Sequence, residues 1–204
     1  MEKGTTGRLF KNPLLESLTR SNPPTTILFY SLMIISFLFL NYTYTQNNVL
    51  QTVLLYSSGL FVWTLIEYIL HRFIFHIDEY IPKLKRLHYL LHGIHHDFPR
   101  DHERLFMPPV PGTIIAAILS GFWYLFLGKN TFAFMAGISN GYLIYTYIHY
   151  SVHTKPVYQP MRKLWKNHAL HHYKYPKKAF GVSSPLWDHI FRTMPPDRTK
   201  QDLN

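Results

Sequence analysis

Four apolar runs, almost free of charge, constrain this chain more than any other feature. They are "TTILFYSLMIISFLFLNYT" (25–43), "VLQTVLLYSSGLFVWTLIEYIL" (49–70), "VPGTIIAAILSGFWYLFLG" (110–128) and "TFAFMAGISNGYLIYTYI" (131–148). A helix needs roughly 20 apolar residues to cross a bilayer core, and the first two runs meet that length. The last two are marginal singly and read best as a short hairpin turning at "GKN". A soluble helical core is the alternative. Charge-free runs of this length, rich in the tyrosine and tryptophan that favour membrane interfaces, point instead to insertion. The expected fold is therefore all-α and integral to the membrane, with four transmembrane helices in two hairpins.

The chain has 204 residues and a net charge of +10. That balance would suit nucleic acid, an anionic membrane surface or an acidic partner, and the distribution chooses among them. Lysines and arginines gather in residues 1–26, 71–111 and 149 onward, with only Lys129 elsewhere. "NYTYTQNN" and "GKN" lie on the other side of both hairpins and carry one lysine between them. By the positive-inside rule the basic side is cytoplasmic, and no nucleic-acid partner is expected. No signal peptide is apparent, so the first helix stays. The chain reads as a single domain: a cytoplasmic segment 1–26, membrane hairpins with an intervening histidine-rich segment over 27–148, and a histidine-rich cap over 149–204.

With no cysteine in the sequence, disulfides, thiolate zinc sites and iron–sulfur clusters are excluded. Histidine takes their place. After the first hairpin come His71 and His76, then His92, His95 and His96; after the second come His149 and His153, then His168, His171 and His172. Residues three and four apart share one face of a helix, so HxxHH directs three imidazoles into one sector and HxxxH directs two. His71 and His76, five apart, suggest a helix end or bend between them. His88, His102 and His189 stand outside these pairings and read as surface or hydrogen-bonded residues.

Ten nitrogen ligands exceed what one ion accepts, so two metals are implied, and the five-plus-five layout permits each ion to draw on both halves. Two divalent ions among neutral ligands call for carboxylates on the outer ring nitrogens. Glu67, Asp97, Asp101 and Asp188 are nearest in sequence, with Glu67 and Asp188 favoured. A zinc hydrolase would need HExxH, and "HERLF" at His102 lacks the second histidine. A metal transporter would hold its ligands near the bilayer midplane, whereas these lie at the ends of the runs. Imidazole suits iron, zinc and copper alike, so the ligand types alone do not choose the metal. The third class is oxygen activation by a pair of iron ions, with electrons from the aqueous side and a lipid tail from the bilayer, and this chain supplies that setting.

"EYILHRFIFH", "HYLLHGIHHDFPRDHERLFMPPVP", "HYSVH", "NHALHH" and "FGVSSPLWDHIFRT" closely resemble the fatty acid 2-hydroxylases of the fatty acid hydroxylase superfamily, over roughly residues 60–194. HxxxH and HxxHH are shared with sterol and carotenoid oxidases; the HRFxFH opening and the FGxS…LWDxxFxT stretch are more selective. The resemblance implies four transmembrane helices under a cytosolic cap and a dimetal centre on the ten histidines. It implies iron as working metal, with zinc able to occupy the same ligands, and hydroxylation next to the carboxyl group of a long acyl chain, free or in a ceramide-type lipid. Residues 1–26 are too short for the cytochrome b5 domain that many members carry. A separate carrier, a cytochrome b5 or a ferredoxin with its reductase, is expected to dock on Lys163, Lys166, Lys174, Lys177 and Lys178, a basic face that also suits anionic lipid. "TKQDLN" at the end shows no lysine-based retrieval signal, which leans toward a bacterial inner membrane over the endoplasmic reticulum. The alternatives are a sterol or carotenoid oxidase and a non-catalytic zinc-binding membrane protein.

Overall fold

The computed structural model describes residues 6–196, all helix, turn and loop. The final "TKQDLN" lies outside the described residues. Each long helix begins where the local sequence can satisfy its free amides. After the short α1 (Pro13–Ser17), α2 (Pro23–Tyr44) starts on two prolines, with the Asn22 side chain accepting from the Thr25 amide at 3.2 Å. Proline suits a first turn, where its missing N–H costs nothing, and asparagine is a favoured N-cap. α3 (Val49–Ile69) opens with a reciprocal capping box, the Asn48 side chain taking the Gln51 amide and the Gln51 side chain the Asn48 amide, both at 2.9 Å. Beyond a π-helical turn over Leu70–Phe75 come α4 (Lys85–His88) and α5 (Ile94–Asp97), joined by a second π-helical turn over Tyr89–Gly93. α6 (Pro109–Leu127) ends at Gly128, whose φ of 54° with ψ of −134° is backbone that glycine adopts readily, and α7 (Thr131–Thr154) returns. α8 (Arg162–Tyr173) and α9 (Leu186–Ile190) complete the chain.

α7 is the centre of the bundle. It packs along α3 and α2, and α6 lies against its outer flank. The core consists of Tyr30, Trp63, Phe134, Met135, Ile138 and Tyr142. Two glycines set the approach of α3 to α7. A Cβ on Gly59 would sit 2.0 Å from the Phe134 carbonyl oxygen, and one on Gly137 would sit 2.0 Å from that of Tyr56. Apolar side chains gain little by leaving lipid for one another, so helices in bilayers associate through such close contacts.

Three stretches are long and apolar enough to cross a membrane: Pro23–Tyr44, Val49–Phe75 and His102–Thr154, the last containing both α6 and α7. The two expected outer turns lie together, since the Asn47 side chain donates to that of Asn130 at 3.0 Å. The described part of the N-terminal segment is folded against the rest of the chain. Glu16, buried, accepts from the Leu9 and Phe10 amides and pairs with Arg20 and Arg104, while Ser21 bonds the Glu103 and Phe106 carbonyls. Residues 7–21 are thereby clasped to the 101–106 loop.

Candidate metal centre

The ten paired histidines come from four helical segments at the end of the bundle opposite the Asn47–Asn130 contact. The helix end expected from the five-residue spacing of His71 and His76 falls at Phe75. The intervening residues form the π-helical turn that continues α3, and His76 closes it at φ −104° and ψ 35°. In a π-helix the hydrogen bond runs from i to i+5, so residues five apart stack on one side, as those four apart nearly do in an α-helix. α7 keeps α-helical geometry and presents His149 and His153 at its end. The segment over α4 and α5 supplies His92, His95 and His96, and α8 supplies His168, His171 and His172.

These side chains form two groups that could each hold a metal ion, with ligand atoms all within 4.8 Å of one another: His71, His76, His92, His96 and His171, and His95, His149, His153, His168 and His172. Each group takes four histidines from one half of the chain and one from the other. The exchange follows from helix geometry. In HxxHH the first and fourth-following residues stand about 40° apart, and the third-following about 60° to the other side. His92 and His96 therefore serve the first group while His95 turns to the second; His168 and His172 serve the second while His171 turns to the first.

Within the groups the Nε2 atoms converge. They stand at 3.1 Å for His71–His171, 3.2 Å for His76–His171, 2.9 Å for His95–His149, 3.1 Å for His95–His172 and 2.7 Å for His153–His168. Two imidazole lone pairs at such distances need a proton or a cation between them. The Nε2 atoms of His92 and His96 are buried with no hydrogen-bond partner among the described residues. Metal–nitrogen bonds of about 2.0–2.1 Å at right angles would place neighbouring nitrogens about 3 Å apart, so the arrangement fits an ion in each group. Burial first, then the nearness of the other rings, lowers His92, His95, His168 and His172 below the ordinary imidazole range. Burial and neighbouring rings likewise push His76, His96 and His171 down to about 3. The rings are held neutral, the form that ligates.

Glu67 and Asp188 do not accept from ring nitrogens. Glu67 accepts from the Val182 and Ser183 amides at 2.7 and 2.9 Å and from the Ser183 hydroxyl. Asp188 accepts from the Phe180 and Gly181 amides at 2.9 and 2.8 Å and from the Thr193 hydroxyl at 2.7 Å. Together they pin the 178–183 loop. It is that loop's carbonyls that accept from imidazoles: His71 Nδ1 donates to Phe180 at 2.6 Å and His171 Nδ1 to Lys178 at 2.8 Å. Ala179, between them, has a left-handed φ of 57°. Residue type does not announce backbone carbonyls: Phe180 opens the FGxS stretch singled out in the sequence, but nothing there points to its carbonyl or to that of Lys178.

His88, His102 and His189 join neither group. His88 Nδ1 meets the Phe75 carbonyl and stands 3.2 Å from Asp78. A cavity of ≈570 Å³, with Lys85, Arg86 and Asp97 among its lining residues, reaches His96 from outside. A second, mainly apolar groove of ≈760 Å³ runs behind α7 past Leu143, Ile144 and Ile148 to Lys155. Of the five lysines expected to form a docking face, Lys163, Lys166, Lys174 and Lys177 are exposed. Lys178 is half-buried and donates to the Arg192 carbonyl at 3.2 Å.

The model of the fatty acid hydroxylase family matches residues 56–193, which include all ten histidines and both carboxylates. The chain belongs to that family. Among curated fatty acid hydroxylase relatives, it is 42% identical over 150 residues to the ceramide very long chain fatty acid hydroxylase SCS7 of Saccharomyces cerevisiae, covering 72% of this chain and 39% of that protein. It is 40% identical over 142 residues to a dihydroceramide fatty acyl 2-hydroxylase of Arabidopsis thaliana, covering 67% of this chain and 59% of the relative. The solved structure of full-length Scs7p, in which only the hydroxylase domain is visible, superposes with a TM-score of 0.83 at 36% identity, covering 92% of this chain and 71% of that one. The chain thus spans roughly two fifths to three fifths of the length of these two curated relatives. Both come from eukaryotes, so the comparisons do not support the lean toward a bacterial membrane.

Proposed function

We propose that this protein is a fatty acid 2-hydroxylase: R–CH2–CO–X, dioxygen, two electrons and two protons give R–CH(OH)–CO–X and water, where X is a hydroxyl or the amide of a ceramide-type lipid. The observation that carries this reading is the pair of five-histidine groups, buried and neutral, at one end of an apolar bundle in a fatty acid hydroxylase chain whose relatives are named for that reaction. Two iron ions, when bound, supply the one-electron chemistry that activates dioxygen; zinc would fill the same ligands without redox activity.

The chain's own residues do the rest. The ten imidazoles hold two cations, and the 178–183 loop, held by Glu67 and Asp188, orients His71 and His171. Burial keeps bulk water from the reacting carbon. The long helices place that end of the bundle at the bilayer surface, where an acyl chain enters from the lipid and a head group stays near the aqueous side. We read residues 1–204 as one domain, all four long helices as spans, and the histidine groups as a cytosolic cap on an endoplasmic reticulum membrane. Electrons come from an acidic carrier approaching Lys163, Lys166, Lys174 and Lys177.

The test is a mass-spectrometric comparison of hydrolysed acyl chains from hosts expressing the wild type and His171→Ala under labelled dioxygen with added iron. Labelled 2-hydroxy acids in the wild type alone support the reading. Their absence from folded, iron-loaded protein supplied with a competent donor overturns the acyl substrate and redirects the search to sterols and carotenoids.

A further inference from the structure

The two histidine groups are unequally supported. In the first, His71 and His171 donate through Nδ1 to the Phe180 and Lys178 carbonyls, and a Glu79 oxygen stands 3.8 Å from His76 Nδ1. In the second, the Nδ1 atoms of His95, His149, His168 and His172 are buried and meet no hydrogen-bond partner among the described residues.

We infer that the first group binds a divalent ion more tightly than the second, and that Glu67 and Asp188 set the difference by pinning the loop that orients His71 and His171. The inference rests on the metal-binding part of the reading above. An Nδ1–H bonded to a carbonyl fixes the tautomer that leaves the Nε2 lone pair free, fixes the plane of the ring, and raises its basicity as a ligand. These three effects are already present at His71 and His171 of the first group before an ion arrives. In the second, four rings have no such tie, so binding itself must select their tautomer and orientation.

The loop is built to hold this geometry. A Cβ on Gly181 would meet the Ser184 carbonyl oxygen at 2.1 Å, so the turn closes tightly. Left-handed backbone is unfavourable for alanine, and Ala179 is kept there with its amide donating to the Thr193 carbonyl at 2.8 Å. Glu67 belongs to α3, which runs directly into the π-helical turn that carries His71, and Asp188 belongs to α9. The carboxylates therefore tie α3 and α9 to the one loop whose carbonyls orient His71 and His171. They are positioning residues, acting through the loop.

The experiment follows metal release and uses neither acyl lipid nor oxygen. Full-length protein in detergent, loaded with two equivalents of Zn2+, is mixed with excess chromophoric chelator. The wild type should release one equivalent quickly and the other at least about tenfold more slowly, the scale on which such outer hydrogen bonds act. His153→Ala should load one equivalent and keep only the slow phase. Asp188→Asn and Glu67→Gln should quicken the slow phase by about 10–100-fold and leave the fast one alone. A single wild-type phase carrying both equivalents, or loss of the slow phase in His153→Ala, would overturn the inference. Where either carboxylate variant fails to stay monodisperse, Thr193→Val removes only the hydroxyl bond to Asp188. It should quicken the slow phase more modestly, and an unchanged rate would count against the inference. Unequal release without any 2-hydroxy product would refute the proposed function alone; equal release with product would refute only this inference.

Discussion

α6 and α7 are the two arms of one hairpin, both apolar and of similar length, yet they have opposite roles. Of α6 only Gly112 is buried; Ile118 is 65% exposed and Leu125 80%. Along α7 the buried residues include Ala133, Ala136, Gly137, Ser139 and Gly141, and toward its end Thr146 and His149. The more apolar helix is thus the peripheral one. In a bilayer, large apolar side chains are content against lipid, and small ones let backbones meet. Small residues therefore mark the helix that forms the core and carries ligands, and bulky apolar ones mark the helix that anchors it.

The sharpest way to break this contrast is at the end of α7. His149→Ala should cut metal content from two equivalents to one and abolish 2-hydroxy product, whereas Ile118→Ala on α6 should leave both unchanged; metal analysis with product mass spectrometry reads both. A single-metal protein with full activity would show that α7 does not serve the site as proposed.

Next in size is packing. Gly137→Ala puts a methyl group against the Tyr56 carbonyl oxygen with no room to yield, and overpacking of this kind costs about 1–3 kcal/mol. Gly121 on α6 has nothing within 4 Å of its would-be Cβ. Gly121→Ala should be neutral or gain about 0.5–1 kcal/mol from lower helix entropy cost. Thermal melts in detergent compare the two, and equal shifts would remove the distinction between core and anchor.

Much of this was legible in the sequence. Four long helices follow from four apolar runs, and the ten histidines from spacing that puts them on shared faces. What was not legible depends on hydrogen-bond register or on distant contacts. The π-helical turn that brings His71 and His76 together is a backbone choice that the spacing only hints at. The exchange of His95 and His171 between groups requires knowing how two helices face each other. Glu67 and Asp188 are near the site as expected, but their acceptor oxygens are taken up by loop amides, and the partners of His71 and His171 are carbonyls that any residue could supply. The clasp of Glu16 on Arg104 joins residues 88 apart in the chain.

Acid should separate the two arms a third way. α6 carries no acidic, basic or histidine side chain, while the end of α7 meets His95, His168 and His172, which burial holds neutral, beside the rings of the first group. His76, His96 and His171 fall to about 3 in the fold against roughly 6.5 unfolded. Between those values the unfolded chain binds more protons than the folded one, so stability rises with pH and is lost as pH falls from about 6.5 toward 3. Metal release acts in the same direction, because ligands must be deprotonated. Metal content and proteolysis near His149 followed from pH 7.5 to 4 should show the cap end opening first. A cap indifferent to pH across that range would contradict the buried-neutral assignment.

The smallest effect tests how α7 reaches beyond its packing face. The Tyr142 hydroxyl accepts from the Met107 amide at 2.9 Å, and Thr146 donates to the Leu105 carbonyl at 3.3 Å. α7 thereby holds the loop that leads into α6. Tyr142→Phe keeps the ring against Trp63 and Tyr30 and removes only the oxygen, leaving a backbone N–H without its acceptor. Such a loss costs about 1–3 kcal/mol when the group stays buried and less when water can reach it. The Met107 amide is part of a half-buried residue at the foot of the hairpin, so the lower end of that range is expected, with metal content unchanged. Hydrogen exchange should rise at residues 105–108 and not within α6 itself. Faster exchange throughout α6 would mean that the anchor helix depends on this single bond, and the division of labour between the two arms would be less complete than their burial suggests.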